Sequence, residues 1–252
     1  LLDRLALSGE QIQALARAVK QVAALPDPVG SRSAMHRASN GLLIGKQRLP
    51  IGLIAIVYES RPNVTVDAAA LTLKSGNAVL LRGGKEAAST NALLVEIMRR
   101  ALADADLPED AVCLVPPGDR EEIRELVSLT EIVDLAIPRG GEGLIRFVAE
   151  VARVPVIKHY KGVCHLFLDE SAELDMARSL TLNSKVQRPG VCNALECLLV
   201  HQRSAERLLP ELGRALIAEG VELRACERAR ALVAGARAAA ESDFGAAFLY
   251  KV

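Results

Sequence analysis

The stretch that decides the fold is residues 51–81, IGLIAIVYESRPNVTVDAAALTLKSGNAVLL. Its first eight residues, 51–58, contain no charged or amide side chain, and a second apolar run, 78–81, follows a helical pattern that ends at Gly76. A strand without such positions is typical of a parallel sheet that is covered on both faces. Strand, helix and strand in this order predict a right-handed crossover between parallel strands.

The alternation of strands and helices extends in both directions from this stretch. Upstream, Ser8 and Gln11 form a capping box that opens an amphipathic helix over 7–25. Downstream, the patterns predict strands at 111–115, 131–137 and 155–157 and helices at 89–105, 120–129 and 143–152. We therefore predict an α/β fold in which residues 1–160 form a parallel-sheet, dinucleotide-binding lobe.

A second α/β lobe is predicted for residues 161–252. Its strands are expected at 162–171, 193–201 and 221–225, and its helices at 172–186 and 204–220. The chain starts with Leu1, and its last seven residues, 246–252, are mostly apolar. We interpret it as part of a longer polypeptide that is incomplete at both ends.

The composition excludes several classes of function. There are 31 basic and 31 acidic residues, and aromatic residues make up 3%. This balance predicts neither a nucleic-acid nor a membrane partner, and no apolar run approaches the ~18 residues of a membrane span. The five cysteines include no C-x-x-C pair, and the histidines have no third ligand at a suitable spacing, so we expect a reduced, cytoplasmic protein without a metal site.

Two glycine pairs each follow a predicted strand and precede a helix. They are Gly83–Gly84 and Gly140–Gly141. Each pair alone is also compatible with a plain tight turn, and neither is a G-x-G-x-x-G motif. Because ligands of open α/β sheets bind at the carboxyl ends of neighbouring strands, the two pairs together favour a dinucleotide site.

Cys192 stands in the segment 187–196, QRPGVCNALE, after a Pro-Gly turn and before an apolar run. Most cysteines, such as Cys197 in the run itself, are small packing residues. Cys192 differs because Lys185 and Arg188 are close in sequence and their charges favour the thiolate over the thiol. No histidine and acid accompany it, so the pattern indicates attack on an aldehyde or an activated acyl group rather than a protease triad.

Four blocks of the chain closely resemble the γ-glutamyl phosphate reductases, which are also called glutamate-5-semialdehyde dehydrogenases and belong to the aldehyde dehydrogenase superfamily. The blocks are 50–86, 137–144, 162–171 and 187–200. The resemblance implies an aldehyde dehydrogenase-like fold and a homo-oligomer in the intact protein. It also implies that NADPH reduces L-glutamyl 5-phosphate to glutamate 5-semialdehyde and phosphate, the second step of proline biosynthesis, through a thioester on Cys192.

The resemblance also assigns roles to residues of the first lobe. It places Arg82 at the adenosine ribose and Lys85 where a cation suits the 2′-phosphate of NADP(H). The residues that it assigns to the cofactor are Arg82, Gly83, Gly84, Lys85, Arg139, Gly140 and Gly141. The last three form the expected pyrophosphate loop.

For the substrate, we expect Arg61 and Arg188 to anchor carboxylate or phosphate groups, since guanidinium offers forked donors to both. Asn63 and Asn193 complete the expected substrate contacts. The oxyanion donor of the superfamily aligns with Ser60, and with Asn63 only after a shift. His159 stands near the place of the glutamate that activates water in hydrolytic relatives, so hydrolysis of the thioester is expected to be slow.

Two alternatives remain open at this point. One is another aldehyde dehydrogenase that hydrolyses the acyl group or transfers it to CoA. The other is a catalytically inactive relative that still binds NADP.

Overall fold

The computed structural model describes residues 5, 7–59, 61–158, 162–245 and 248. The chain divides into two compact units, Leu1–Tyr160 and Lys161–Val252. Each unit has its own sheet and its own apolar core.

The first unit opens with helix α1, Gly9–Ala24, whose capping box is confirmed. The side chain of Ser8 accepts from the backbone of Gln11, and the side chain of Gln11 accepts from the backbone of Ser8. An antiparallel hairpin follows, with β1 at Arg32–Arg37 and β2 at Leu43–Gln47. The hairpin was not predicted, because all residues of both strands are exposed and leave no alternating apolar pattern.

The main sheet of this unit has four parallel strands. They are β3 (Leu53–Tyr58), β4 (Ala78–Arg82), β5 (Val112–Leu114) and β6 (Leu135–Arg139). Their order in the sheet is β5-β4-β3-β6. The chain places β4 and then β5 on one side of β3, and it then returns to place β6 on the other side of β3. The predicted parallel sheet is confirmed, and β3 and β6 form the switch point at which sheets of this kind bind ligands.

Helices cover both faces of this sheet. They are α2 (Pro62–Lys74), α3 (Ala88–Asp104), α4 (Arg120–Leu126) and α5 (Glu142–Val151). Alternate side chains of β3 therefore enter different cores. Ile54, Ile56 and Tyr58 pack into one core, and Ala55 and Val57 pack into the other. This double burial explains why β3 lacks charged positions.

Several boundaries in the first unit differ from the predictions. Helix α2 starts at Pro62 rather than Val66, because proline suits the first helical turn, where its missing N–H costs nothing. Strand β6 starts only at Leu135, since residues 132 and 133 donate turn hydrogen bonds to the carbonyl of Leu129. The strand predicted at 155–157 is reduced to one bridge between Ala136 and Val156.

The second unit contains the parallel pair β7 (His165–Leu168) and β8 (Cys197–Val200), covered by α6 (Leu174–Val186) and α7 (Gln202–Ala218). Its core joins Leu168, Ala177, Leu208 and Leu212. Strand β8 starts four residues later than predicted, because Ala194 still bonds within a turn to Val191. After α7 the unit contains β9 (Arg224–Ala225), α8 (Glu227–Arg230), β10 (Arg237–Ala238) and a 3-10 helix at Glu241–Gly245.

Within the described ranges, none of the helices combines the length and the apolar character that crossing a lipid bilayer requires.

Candidate active site

The two glycine pairs lie at the same edge of the four-stranded sheet, the one formed by the carboxyl ends of its parallel strands. Gly83 follows β4 and Gly140 follows β6, and both strands pair with β3 in parallel. The carboxyl end of β3, followed by Glu59, therefore lies between the two loops. The structure thus brings together the two loops that the sequence predicted to form one site.

A buried polar network supports the first glycine loop from below. The Tyr58 hydroxyl lies 2.7 Å from the Thr65 hydroxyl, which donates to Asn91 Oδ1 at 3.0 Å. All three side chains are at most 1% exposed. A Cβ at Gly83 would lie 2.2 Å from Asn91 Nδ2 and 3.1 Å from the Tyr58 ring. Residue 83 must therefore be glycine for the loop to pack on this network.

Arg82 has a structural role that the sequence did not reveal. Its guanidinium donates to the carbonyls of Gly118 at 2.7 Å and Asp119 at 3.4 Å, in the loop after β5. The side chain is only 9% exposed, and its Nε has no hydrogen-bond partner. Arg82 thus ties two loops of the sheet edge together, and its contact with a cofactor stays a prediction.

The second glycine loop already binds a carboxylate of this chain. Glu59 Oε2 accepts from the backbone N–H of Gly141 at 2.8 Å, and a Cβ at Gly140 would lie 2.6 Å from the same oxygen. Gly141 caps the N-terminus of α5, where the helix dipole favours a negative charge. Sequence reasoning missed Glu59, although its position directly after a buried strand was a usable signal.

The remaining candidate residues of this unit lie on its surface or near it. Lys85 is exposed in the short turn before α3, and Arg139 is exposed at the end of β6. Asn63, in the first turn of α2, donates from Nδ2 to Asp67 at 3.1 Å. Arg61 is the N-cap of the same helix. The oxyanion candidate Ser60 and the candidate His159 lie outside the described residues.

Cys192 lies in the second unit, in the turn segment between α6 and β8. It is an exposed, free thiol, and Arg188 and Asn193 in the same segment are also exposed. Within the described residues, Cys192 is therefore not packed as Cys197 is. Cys197 is partly buried in β8, and burial raises the pKa of its thiol, which disfavours the nucleophilic thiolate.

Two contacts fix the segment that carries Cys192. Lys185 Nζ lies 3.3 Å from Glu196 Oε2, and both side chains are almost wholly buried. The thiol of Cys164 donates to the carbonyl of Cys192 at 3.3 Å. The sequence indicated that Lys185 would act as a charge near Cys192; in the structure, its ammonium is bonded to a buried carboxylate instead.

A cavity of about 690 Å³ in the second unit lies beneath β8 and α7. Leu198, Leu212 and Val221 are among its lining residues, and Cys192 is not. The cavity is partly open to solvent, and its lining also includes charged groups, among them Lys185, Glu196 and Arg224.

Comparison with known proteins identifies the family of this chain. Residues 4–223 match the aldehyde dehydrogenase family. The chain belongs to that family. A γ-glutamyl phosphate reductase of Sorangium cellulosum is 59% identical over 249 residues, which is 99% of this chain and 58% of that protein. One from Anaeromyxobacter is 55% identical over 251 residues, covering 98% and 59%.

The fold of this aldehyde dehydrogenase chain also matches a solved structure. The crystal structure of a γ-glutamyl phosphate reductase from Thermotoga maritima superposes with a TM-score of 0.87 at 45% identity, over 98% of this chain and 60% of that one. The chain spans between 58% and 60% of the length of the curated relatives that it matches.

Proposed function

We propose that the whole protein reduces L-glutamyl 5-phosphate to L-glutamate 5-semialdehyde and phosphate, with NADPH as the reductant. The observation that carries the proposal is the exposed, free thiol of Cys192 in a segment that the family resemblance assigns to the nucleophile. Relatives named γ-glutamyl phosphate reductase, 50% to 59% identical over nearly the whole chain, support the choice of substrate.

The first chemical step belongs to Cys192. Its thiolate attacks the acyl carbon of the substrate, a C–S bond forms, and the bond from that carbon to the phosphate oxygen breaks. Phosphate leaves with the electron pair, and a thioester remains on the enzyme. The covalent intermediate divides one difficult reaction into two easier ones. The backbone N–H of Cys192 is proposed to stabilise the developing oxyanion, an effect worth about 3 kcal/mol in comparable sites.

The residues of the sheet edge fit a dinucleotide. Two glycine loops flank the switch point between β3 and β6, and the N-terminus of α5 favours an anion, a place that the Glu59 carboxylate takes in this structure. When bound, NADPH supplies the hydride that converts the thioester to a thiohemiacetal on Cys192. The thiohemiacetal then expels the Cys192 thiolate and releases the aldehyde.

The choice of NADP over NAD is proposed to depend on Lys85. Its exposed ammonium follows Gly84 in the loop after β4, and a cation there attracts the 2′-phosphate that distinguishes NADP. Arg61, Asn63, Arg188 and Asn193 are proposed to bind the carboxylate and phosphate groups of the substrate. All five cysteines are free, which supports a reduced, cytoplasmic setting.

The test is the reverse reaction of the full-length protein, the oxidation of glutamate 5-semialdehyde with NADP. The proposal predicts that turnover requires inorganic phosphate, because phosphate must release the acyl group from Cys192. Full turnover in phosphate-free buffer would identify a hydrolysing enzyme, and turnover restored by CoA an acylating one. The Cys192→Ala variant is the control: it should bind NADPH and show no turnover.

A further inference from the structure

Two opposite charges lie almost completely out of water at the base of the segment that carries Cys192. Lys185 Nζ and Glu196 Oε2 are 3.3 Å apart, and the two side chains are 4% and 2% exposed. Lys185 belongs to the last turn of α6, and Glu196 directly precedes β8. The ion pair therefore joins the two ends of the segment 186–195.

Backbone hydrogen bonds close the same segment. Leu195 donates to the carbonyl of Ser184 at 2.9 Å, and Glu196 donates to the carbonyl of Cys164 at 3.0 Å. Ala194 and Leu195 are buried, whereas Cys192 is exposed. The segment is thus a short loop whose two ends are fixed in the core, and the exposed thiol of Cys192 lies between them.

A buried ion pair is a poor source of stability. The cost of removing both charges from water is of the same size as their attraction, and apolar residues of similar volume often serve the fold equally well. What an ion pair does supply is a constraint on the distance between two groups, because the attraction weakens as the charges separate. Lys185 and Glu196 fix the distance between the end of α6 and the start of β8.

We propose that Lys185 and Glu196 are positioning residues for Cys192. They hold the turn segment in the one conformation that presents the thiol to a small electrophile. Their importance for catalysis rests on the proposed function, in which Cys192 is the nucleophile. The reactivity of the thiol, however, can be measured without substrate or cofactor.

The test is the rate of iodoacetamide alkylation at Cys192, mapped by peptide mass spectrometry. Cys226 is also exposed and serves as an internal reference in the same chain. The double variant Lys185→Met, Glu196→Leu removes both charges of this pair. Its thermal midpoint should stay near that of the parent, while the ratio of the Cys192 rate to the Cys226 rate should fall about tenfold, since a thiol that leaves its exposed position is less accessible to the reagent.

The conservative variant Lys185→Arg keeps a cation beside Glu196, and it should retain most of the parental rate ratio. An unchanged or increased ratio in the apolar double variant would overturn the proposal. If that variant does not fold, Lys185→Gln with Glu196→Gln supplies the same comparison. A failure of both pairs to fold would assign the ion pair to stability alone and would also overturn it.

These outcomes are distinct from a failure of the proposed function. If Cys192 of the parent chain reacts no faster than Cys226, then Cys192 is not an activated nucleophile, and the proposed function fails. If Cys192 reacts selectively and the charge-free variants react in the same way, only the positioning role fails.

Discussion

Replacing Gly83 with alanine tests the packing beneath the first glycine loop. The new Cβ would lie 2.2 Å from Asn91 Nδ2, so the side chain of Asn91 must shift by about 1 Å to reach ordinary contact. Asn91 is buried and accepts a hydrogen bond from Thr65 at 3.0 Å, which such a shift breaks. Overpacking and the lost bond each cost about 1–3 kcal/mol, so we expect the variant to lose about 3 kcal/mol.

The assay is urea unfolding of the variant and the parent, followed by circular dichroism. Gly143→Ala is the matched control, because a Cβ at Gly143 meets nothing within 4 Å. That residue lies in the first turn of α5, and alanine there should leave stability unchanged or raise it by less than about 1 kcal/mol.

The same substitution in an Asn91→Ala variant shows where the loss of stability originates. In an Asn91→Ala chain the colliding amide is gone, so Gly83→Ala should cost under about 1 kcal/mol, a coupling that a double-mutant cycle measures. A Gly83→Ala chain as stable as the parent would refute the collision. An equal penalty in both backgrounds would place its origin away from Asn91.

Three further predictions concern the same sheet edge. Glu59→Gln removes the negative charge that accepts the Gly141 N–H at the N-terminus of α5. The dissociation constant for NADPH, measured by fluorescence titration, should therefore fall severalfold. Weaker binding would show that Glu59 supports the cofactor instead. Lys85→Glu should shift the ratio of NADPH to NADH affinity by about tenfold toward NADH, and an unchanged ratio would remove Lys85 from the 2′-phosphate site. Burial raises the pKa of the Tyr58 hydroxyl above its usual 10.0, so the unfolded chain loses that proton first and stability should fall as the pH rises above about 10. Tyr58→Phe loses the hydrogen bond to Thr65 and should be about 1 kcal/mol less stable at pH 8. In unfolding experiments, its free energy of unfolding should also decline less steeply above about pH 10. A decline as steep as that of the parent would contradict the assignment.

The order of the strands and helices was predictable because burial on both sides leaves a clear sequence pattern. Strand β3 is the best example, since Ile54 and Ala55 enter opposite cores and neither position tolerates a charge. The hairpin β1–β2 was not predictable in this way, because its residues are exposed and its pairing is the only regularity. Boundaries failed where turn hydrogen bonds delay the start of a strand, as the bonds to the Leu129 carbonyl do before β6.

The residues of the candidate site were predictable where their immediate sequence neighbours mark them. Glycine pairs after strands, and a cysteine after a Pro-Gly turn, can be recognised in the sequence itself. The partners of these residues could not be recognised, because they come from other elements of the fold. Asn91 meets Gly83 and Glu59 meets Gly141 only after the sheet has formed.

The central claim is that Cys192 carries the acyl group during the reaction. The most direct measurement is mass spectrometry of the full-length protein, acid-quenched after incubation with glutamate 5-semialdehyde and NADP in phosphate-free buffer. We predict a glutamyl adduct on the peptide that contains Cys192, and its disappearance when phosphate is added. An adduct on another cysteine, or oxidation of the aldehyde without any adduct, would contradict the claim.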